Sequence, residues 1–269
     1  GINALYDIVS IQQGLEQAGF EVNQELLDFY TSYSSQRPDM TITTQTWTLY
    51  EPPVSTYSQE MLDNAKEFSD VAVITLARLA GEGHNDMPME MAEAGYDNNS
   101  DEYDDFQPDD HYLQLSQTEK DMIEMVCENF DTVIVVLNSG NPMELGFVDD
   151  YEQIKSVLWC PGPGNVGFTA LGEILRGTVN PSGKSTDTFA YNLKNAPWWN
   201  NYEDYHYSNM EHMAVEGMNS GVSQTYYPSF TNYVEGIYVG YKFNETAAAE
   251  GLIDYEAEVQ YPFGHGLSY

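Results

Sequence analysis

Three short apolar runs constrain this chain more than any other feature. Helical-period stretch "SQEMLDNAKEF" leads to "DVAVITLA"; "SQTEKDMIEMVCENF" leads to "DTVIVVLNS"; "YEQIK" leads to "SVLWCPG". The runs are continuous rather than alternating, as expected of parallel strands covered on both faces. A further helix is expected at "GFTALGEILRG", and each run ends in a Gly- or Pro-rich loop: "LAGEGHND", "NSGNPMEL", "CPGPGNVG". Helix and strand in this alternation give an α/β fold, with a mainly parallel sheet of the six-stranded type sandwiched between helices and with long irregular loops. Ligands of such sheets gather at the carboxyl ends of the strands. The first of these loops carries Glu82 between Gly81 and Gly83.

Upstream, "YDIVSIQQGLEQAGFEVN" places Ile8, Ile11, Leu15 and Ala18 on one helical face, with Gly19 suited to end the helix, and "QELLDFYTSY" predicts a second helix. Residues 36–58 contain Pro38, Pro52 and Pro53 and read as irregular or extended chain. Residues 87–115 form a long acidic insertion, and residues 191–233 are rich in Tyr, Trp, Asn and Met without a clear period; loops this long are expected to be either functional or mobile.

Charge narrows the function classes. Lys and Arg total 9 against 43 Asp plus Glu, a formal charge of −34, which repels phosphate backbones and anionic lipid, so neither nucleic acid nor a membrane is expected as a partner. No apolar run approaches the ~20 residues of a membrane-spanning helix. "PGPGNVG" has neither of the phosphate-loop spacings, and His84, His111, His206, His212 and His265 lack zinc spacing. Asp97, Asn99 and Asp101 are spaced as in a calcium loop, but its sixth position is Glu102 and its twelfth Pro108. No cofactor and no metal are expected. Cys127 and Cys160, the two cysteines, are expected to be buried and reduced. Aromatic residues at Trp47, Trp198, Trp199, Tyr202, Tyr205 and Tyr207 suit either core packing or platforms for the C–H faces of a neutral sugar.

The ordered set "DVAVITLARLAGEGHND", "LSQTEKDMIEMVCENFDTVIVVLNSGNPMEL", "VLWCPGPGNVGFTALGEILRGTVNPSGKSTDTF", "YVEGIYVGYKF" and "YPFGHGLSY" resembles the second domain of glycoside hydrolase family 3, which includes β-glucosidases, β-xylosidases and exo-glucanases. The resemblance covers roughly residues 55–269. It implies a retaining glycosidase whose active site lies between a (β/α)8 barrel bearing an Asp nucleophile and this α/β sandwich, which lends an acid/base Glu. The matching position is Glu82. Arg78, His84 and Asp86 are candidates for positioning the acid or the substrate, Arg78 serving equally well as a structural ion-pair partner. Family members commonly continue "GEG" with an aromatic residue, Asp and Arg, whereas His84, Asn85 and Asp86 follow here.

On this resemblance, residues 1–58 are the N-terminal helices and extended segment of the sandwich, 59–190 its core, and 191–269 a Tyr/Trp-rich loop region leading toward a fibronectin III-like domain. The barrel, that fibronectin III-like domain and the sandwich's first strand are expected outside these residues. A β-linked oligosaccharide or β-glucoside is the implied substrate, and the chain alone is expected to be inactive. The alternative is a noncatalytic carbohydrate-binding or scaffold module of the same fold.

Overall fold

The computed structural model describes residues 7–36, 47–79, 87–201, 205–219 and 221–267. They fall into two compact units, residues 1–185 with 264–269 and residues 186–263.

The larger unit has the parallel α/β architecture. Its helices are α1 (Ile11–Gln17), α2 (Gln24–Ser34), α3 (Gln59–Phe68), α4 (Gln117–Asn129) and α5 (Phe168–Leu175), and its strands β1 (Val71–Arg78), β2 (Thr132–Ser139) and β3 (Ile154–Trp159). The strands form one sheet in the order β1-β2-β3, both pairings parallel, with Arg78 beside Ser139 and Leu137 beside Trp159. One face, including Ile74, Leu76, Val133, Val135 and Leu137, is buried together with Met122, Ile123 and Cys127 of α4. On the opposite face Val71 and Val73 are 41% and 38% exposed, more open than the apolar runs predict. Cys127 is buried and Cys160 half-buried, both as free thiols.

Helix starts follow local chemistry. Ser10 and Gln13 form a reciprocal capping box at α1, and Ser116 and Glu119 form another at α4, each satisfying two otherwise unpaired N–H groups. Helices α1 and α5 meet backbone to backbone: a Cβ at Gly14 would lie 2.0 Å from the carbonyl O of Phe168, and one at Gly172 would lie 2.0 Å from that of Gly14. The expected helix at "YEQIK" does not form. Tyr151–Gln153 turn, Val133 N donates to Gln153 O (2.8 Å), and the chain enters β3 at Ile154. Five residues are too few to nucleate a helix against a waiting sheet edge.

The acidic insertion contributes to the core. Met87, Met91, Phe106, Tyr112, Leu113 and Leu115 are buried in the core, along with Asp105 and His111. Asp105 turns its carboxylate into the fold, accepting from Asn99 N (2.9 Å) and Thr118 N (3.0 Å), whereas Asp101, Glu102, Asp104 and Asp109 are exposed. Two sequence motifs also meet here. "NPSGK" and "YPFGHGLSY" are joined by Ser185 N to His265 O (2.7 Å), Gly264 N to Ser185 O (2.8 Å) and Lys184 Nζ to Gly266 O (2.8 Å).

The smaller unit contains β4 (Phe189–Ala190), β5 (Tyr205–His206), β6 (Val215–Asn219), β7 (Val222–Tyr226), β8 (Ser229–Phe230), α6 (Tyr241–Ala249), α7 (Tyr255–Glu258) and β9 (Val259–Tyr261). Its strands pair antiparallel as β4-β9, β5-β8 and β6-β7. Among the described residues no helix is long and apolar enough to cross a membrane.

A buried carboxyl fastens α2 to the segment before α3. Glu51 Oε1 accepts from Tyr30 Oη (3.0 Å) and Tyr57 Oη (3.1 Å), and the two phenols are 2.6 Å apart. Burial pushes Glu51 from its ordinary 4.5 up to about 8, opposed by the Tyr30 bond, reinforced by the charge of Glu119, opposed again by the Tyr57 bond and reinforced by Asp105. Between these two values the folded chain keeps a proton that the unfolded chain has lost, so Glu51 lowers stability as pH rises from 4.5 to 8. Glu51→Gln preserves the accepting oxygen without the titration. Urea unfolding of the variant should show a shallower loss of stability between pH 5 and pH 8 than the parent and a higher midpoint at pH 8; parallel curves would contradict the burial of a titrating group.

Candidate functional site

The carboxyl end of β1 is built around Arg78, whose alternation with Ile74 and Leu76 turns it into the buried face. Its guanidinium has five N–H groups, and the protein meets each. Nε donates to Tyr112 O (2.7 Å); Nη1 donates to Ala77 O (2.9 Å) and Glu119 Oε1 (2.8 Å); Nη2 donates to Gln114 O (2.7 Å) and Glu119 Oε2 (2.7 Å). Both side chains are almost wholly removed from solvent. Burial works against the arginine's charge, but the charge and hydrogen bonds of Glu119 outweigh it, with help from Tyr112 and Tyr96, and hold its pKa above the ordinary value. The carboxylate that Arg78 orients is therefore that of Glu119.

Glu119 has a second task. Its Oε2 also accepts from Ser116 N (2.9 Å), closing the capping box of α4. One carboxylate thus joins the end of β1 to the start of α4. Tyr112 lies over the same arginine, 5.5 Å from ring centre to guanidinium carbon, and packs edge-on against Trp47 at 5.0 Å. Its hydroxyl accepts from Leu79 N (2.8 Å), fixing the first residue beyond the strand. Burial raises the Tyr112 phenol, against the lowering effect of Arg78, so the ring stays neutral and able to donate elsewhere.

The neighbouring strand ends are tied to the same strap. His111 Nδ1 accepts from Leu113 N (3.2 Å), which leaves Nε2 protonated toward Glu144 Oε1 at 3.0 Å. Glu144 N in turn donates to Leu113 O (3.0 Å). Ser139 Oγ bonds Asn141 O (2.7 Å) just after β2, and Trp159 Nε1 donates to Ser139 O (2.8 Å) from the end of β3. Residues 111–114 therefore lash the loops after β1 and β2 together.

Glu82, His84 and Asp86 lie outside the described residues, as do Gly81, Gly83 and Tyr202. What is described are the two flanks of that loop: Leu79, held by Tyr112, and Met87, buried beside Asn141. The structure brings Arg78 to the start of the loop but turns it inward. Of the aromatic candidates, Trp47 is a core residue, Trp198 and Trp199 pack at 5.7 Å, and Tyr205 stacks on Phe230 in the smaller unit.

Sequence reasoning missed Glu119, Tyr112 and Asp105. The Ser116-to-Glu119 spacing is a readable capping signal, but nothing in the sequence pairs Glu119 with an arginine 41 positions away. Within the calcium-like stretch Asn99 serves the fold: its Nδ2 bonds Tyr96 Oη (2.9 Å), and Tyr96 Oη donates to Asp105 (2.9 Å). Among the described residues no group of three or more His, Cys, Asp or Glu side chains is arranged to hold a metal ion.

Removing the counter-charge tests this construction. Glu119→Ala leaves a buried guanidinium without its counter-charge and Ser116 N without its acceptor, and should cost about 3–5 kcal/mol of unfolding free energy. A loss below about 1 kcal/mol, the range of exposed pairs, would mean that the pair is not desolvated in solution.

Comparison with known proteins places these features in context. The sequence model described as the glycosyl hydrolase family 3 C-terminal domain matches residues 4–241. Over 219 residues the chain is 33% identical to β-glucosidase A of Butyrivibrio fibrisolvens, covering 78% of this chain and 22% of that protein. It is 27% identical to a β-glucosidase of Ruminococcus albus over 265 residues, 97% of this chain and 22% of that protein. A solved β-glucosidase from Paenibacillus barengoltzii superposes with a TM-score of 0.66 at 25% identity, over 98% of this chain and 24% of that one. β-Glucosidase 3B of Thermotoga neapolitana, solved with glycerol, gives 0.62 at 25% identity, over 98% of this chain and 30% of that one. The chain thus spans between a fifth and a third of the length of these relatives.

Proposed function

The chain belongs to glycosyl hydrolase family 3, as its C-terminal domain, and from that membership we propose that it supplies the acid/base carboxylate of a retaining β-glycosidase acting on β-glucosides or short β-glucans. Glu82 is that carboxylate. The nucleophile comes from a (β/α)8 barrel elsewhere in the parent enzyme. The observation that carries the reading is the rigid root of the Glu82 loop: Arg78 saturated by five acceptors, and Leu79 pinned by Tyr112.

The chemistry explains why such a root is useful. Retention needs two carboxyl groups about 5–5.5 Å apart, one attacking the anomeric carbon while the other protonates the departing oxygen and later draws a proton from water. An acid carried by a different domain from the nucleophile must be delivered to within about half an ångström of its working position. A loop rooted on a buried ion pair suits that demand, and glycine on both sides of Glu82 lets the backbone turn close to a sugar without a side chain in the way. His84 and Asp86, two and four residues beyond, are the nearest titratable groups in sequence and are proposed to set the electrostatic environment of the acid.

Loss of the acid should show itself through the leaving group. In the full-length enzyme, Glu82→Gln should slow hydrolysis of a β-linked disaccharide by about 10²–10⁴-fold while sparing the first step on an activated aryl glycoside, whose departing oxygen needs no proton. Undiminished turnover of the disaccharide by Glu82→Gln would overturn the assignment. The 269-residue chain alone should leave both substrates intact.

A further inference from the structure

We propose that the Tyr30–Glu51–Tyr57 cluster is a proton-operated latch on the end of β1: while the Glu51 carboxyl keeps its proton, Tyr112 holds Leu79, and release of that proton loosens the hold. The geometry of the cluster requires the proton. Glu51 Oε1 lies 3.0 Å from Tyr30 Oη and 3.1 Å from Tyr57 Oη, and the two phenols are 2.6 Å apart. Each of the three contacts needs one proton between its oxygens, and the two phenols own one each. The third belongs to the carboxyl. Burial is the largest influence favouring that neutral form, and the charges of Glu119 and Asp105 act in the same direction against the Tyr30 and Tyr57 bonds. Burial, and then the charge of Glu51, keep both phenols protonated as well.

One short segment carries the state of the cluster to the strand end. Trp47, Thr48, Leu49 and Glu51 are all buried. At one end of the segment Glu51 meets Tyr30 of α2 and Tyr57 ahead of α3; at the other, Trp47 packs edge-on against Tyr112 at 5.0 Å. Between them Thr48 Oγ1 accepts from Asp97 N (3.0 Å), which ties the segment to the insertion. Tyr112 accepts from Leu79 N (2.8 Å), and Leu79 is the last described residue before residues 80–86.

Loss of the proton acts on both ends of this segment. Two phenolic protons cannot serve three contacts, so one contact opens. A new negative charge also arises near Glu119 and Asp105. The first is already engaged with Arg78, the second with Asn99, Thr118 and Tyr96. Among the described residues, Tyr30 of α2, Tyr57 before α3, Glu119 of α4 and Asp105 of the insertion are the titratable groups that act on Glu51. An ionised carboxyl in this setting is favoured by movement toward water, and the segment that moves with it carries Trp47 off Tyr112. As a control on Glu82 the latch rests on the function proposed above; as a coupling between Glu51 and Leu79 it does not.

Hydrogen exchange of the Leu79 amide in the 269-residue chain reads that coupling, with the amide of Val135, at the centre of β2, reporting opening of the whole unit. An opening that frees Glu51 returns its carboxyl from about 8 to its ordinary 4.5 and releases one proton. The Leu79 protection factor, already corrected for the chemical rate of exchange, should therefore be smaller than that of Val135. It should fall about tenfold for each unit of pH between 5.5 and 7.5 and level off above about 8. In Glu51→Gln, which cannot release the proton, it should stay constant over the same range. A Leu79 protection factor that is independent of pH in the parent, or equal to that of Val135 throughout, would overturn the proposal. An equally steep fall in Glu51→Gln would do so too. The parent's own values need no variant and no substrate, so they decide the latch whichever carboxyl serves disaccharide cleavage in the full-length enzyme.

Discussion

An arginine is held inside a protein only when its charge finds a counter-charge and its five N–H groups find acceptors. Arg78 satisfies both conditions through Glu119 and the carbonyls of Ala77, Tyr112 and Gln114. Three of these four residues have a further task. Glu119 caps α4, Tyr112 fixes the chain as it leaves β1, and Gln114 belongs to the strap that reaches the loop after β2. Disturbing the pair would release a helix start, a strand end and a loop together. The arrangement need not add net stability over an apolar replacement; what it supplies is a single geometry for elements far apart in sequence.

That geometry is what a transferred acid requires. A proton donor that meets its nucleophile only when two domains come together cannot be positioned by local contacts around the reacting bond alone. It inherits its precision from the body that carries it. For the role proposed for Glu82, that body is the buried sheet face with Arg78 and Leu79 before residues 80–86, and Met87 beside Asn141 after them. The chemistry proposed for Glu82 and the packing around Arg78 are thus two ends of one argument.

Periodicity and the repeated apolar runs made the parallel sheet and the five helices α1–α5 legible in sequence, because burial on a covered sheet demands unbroken Val, Ile and Leu and leaves little ambiguity. The five-residue helix before β3 was not legible, since Ile154 answers to a hydrogen-bonding partner on β2 rather than to its own neighbours. The buried part of the acidic insertion was not legible for a related reason. Composition counts carboxylates but does not show where they point, and Asp105 spends its oxygens on Asn99, Thr118 and Tyr96 while Tyr112 and Phe106 fill the core behind it. Around Arg78, Glu119 was not legible as a partner: its capping role is local and its ion pair is not.

The smaller unit shows the same contrast, since a stretch without period in sequence pairs Tyr205 with Phe230 across two short strands. The central claim nevertheless concerns the proton at Glu82. It is tested most directly by the pH dependence of kcat/KM for a disaccharide in the full-length enzyme. The account predicts a fall on the alkaline side, where the acid loses its proton, and disappearance of that limb when Glu82 is replaced by Gln. An alkaline limb that persists unaltered in the variant, at undiminished rate, would assign the proton to another group and contradict the account.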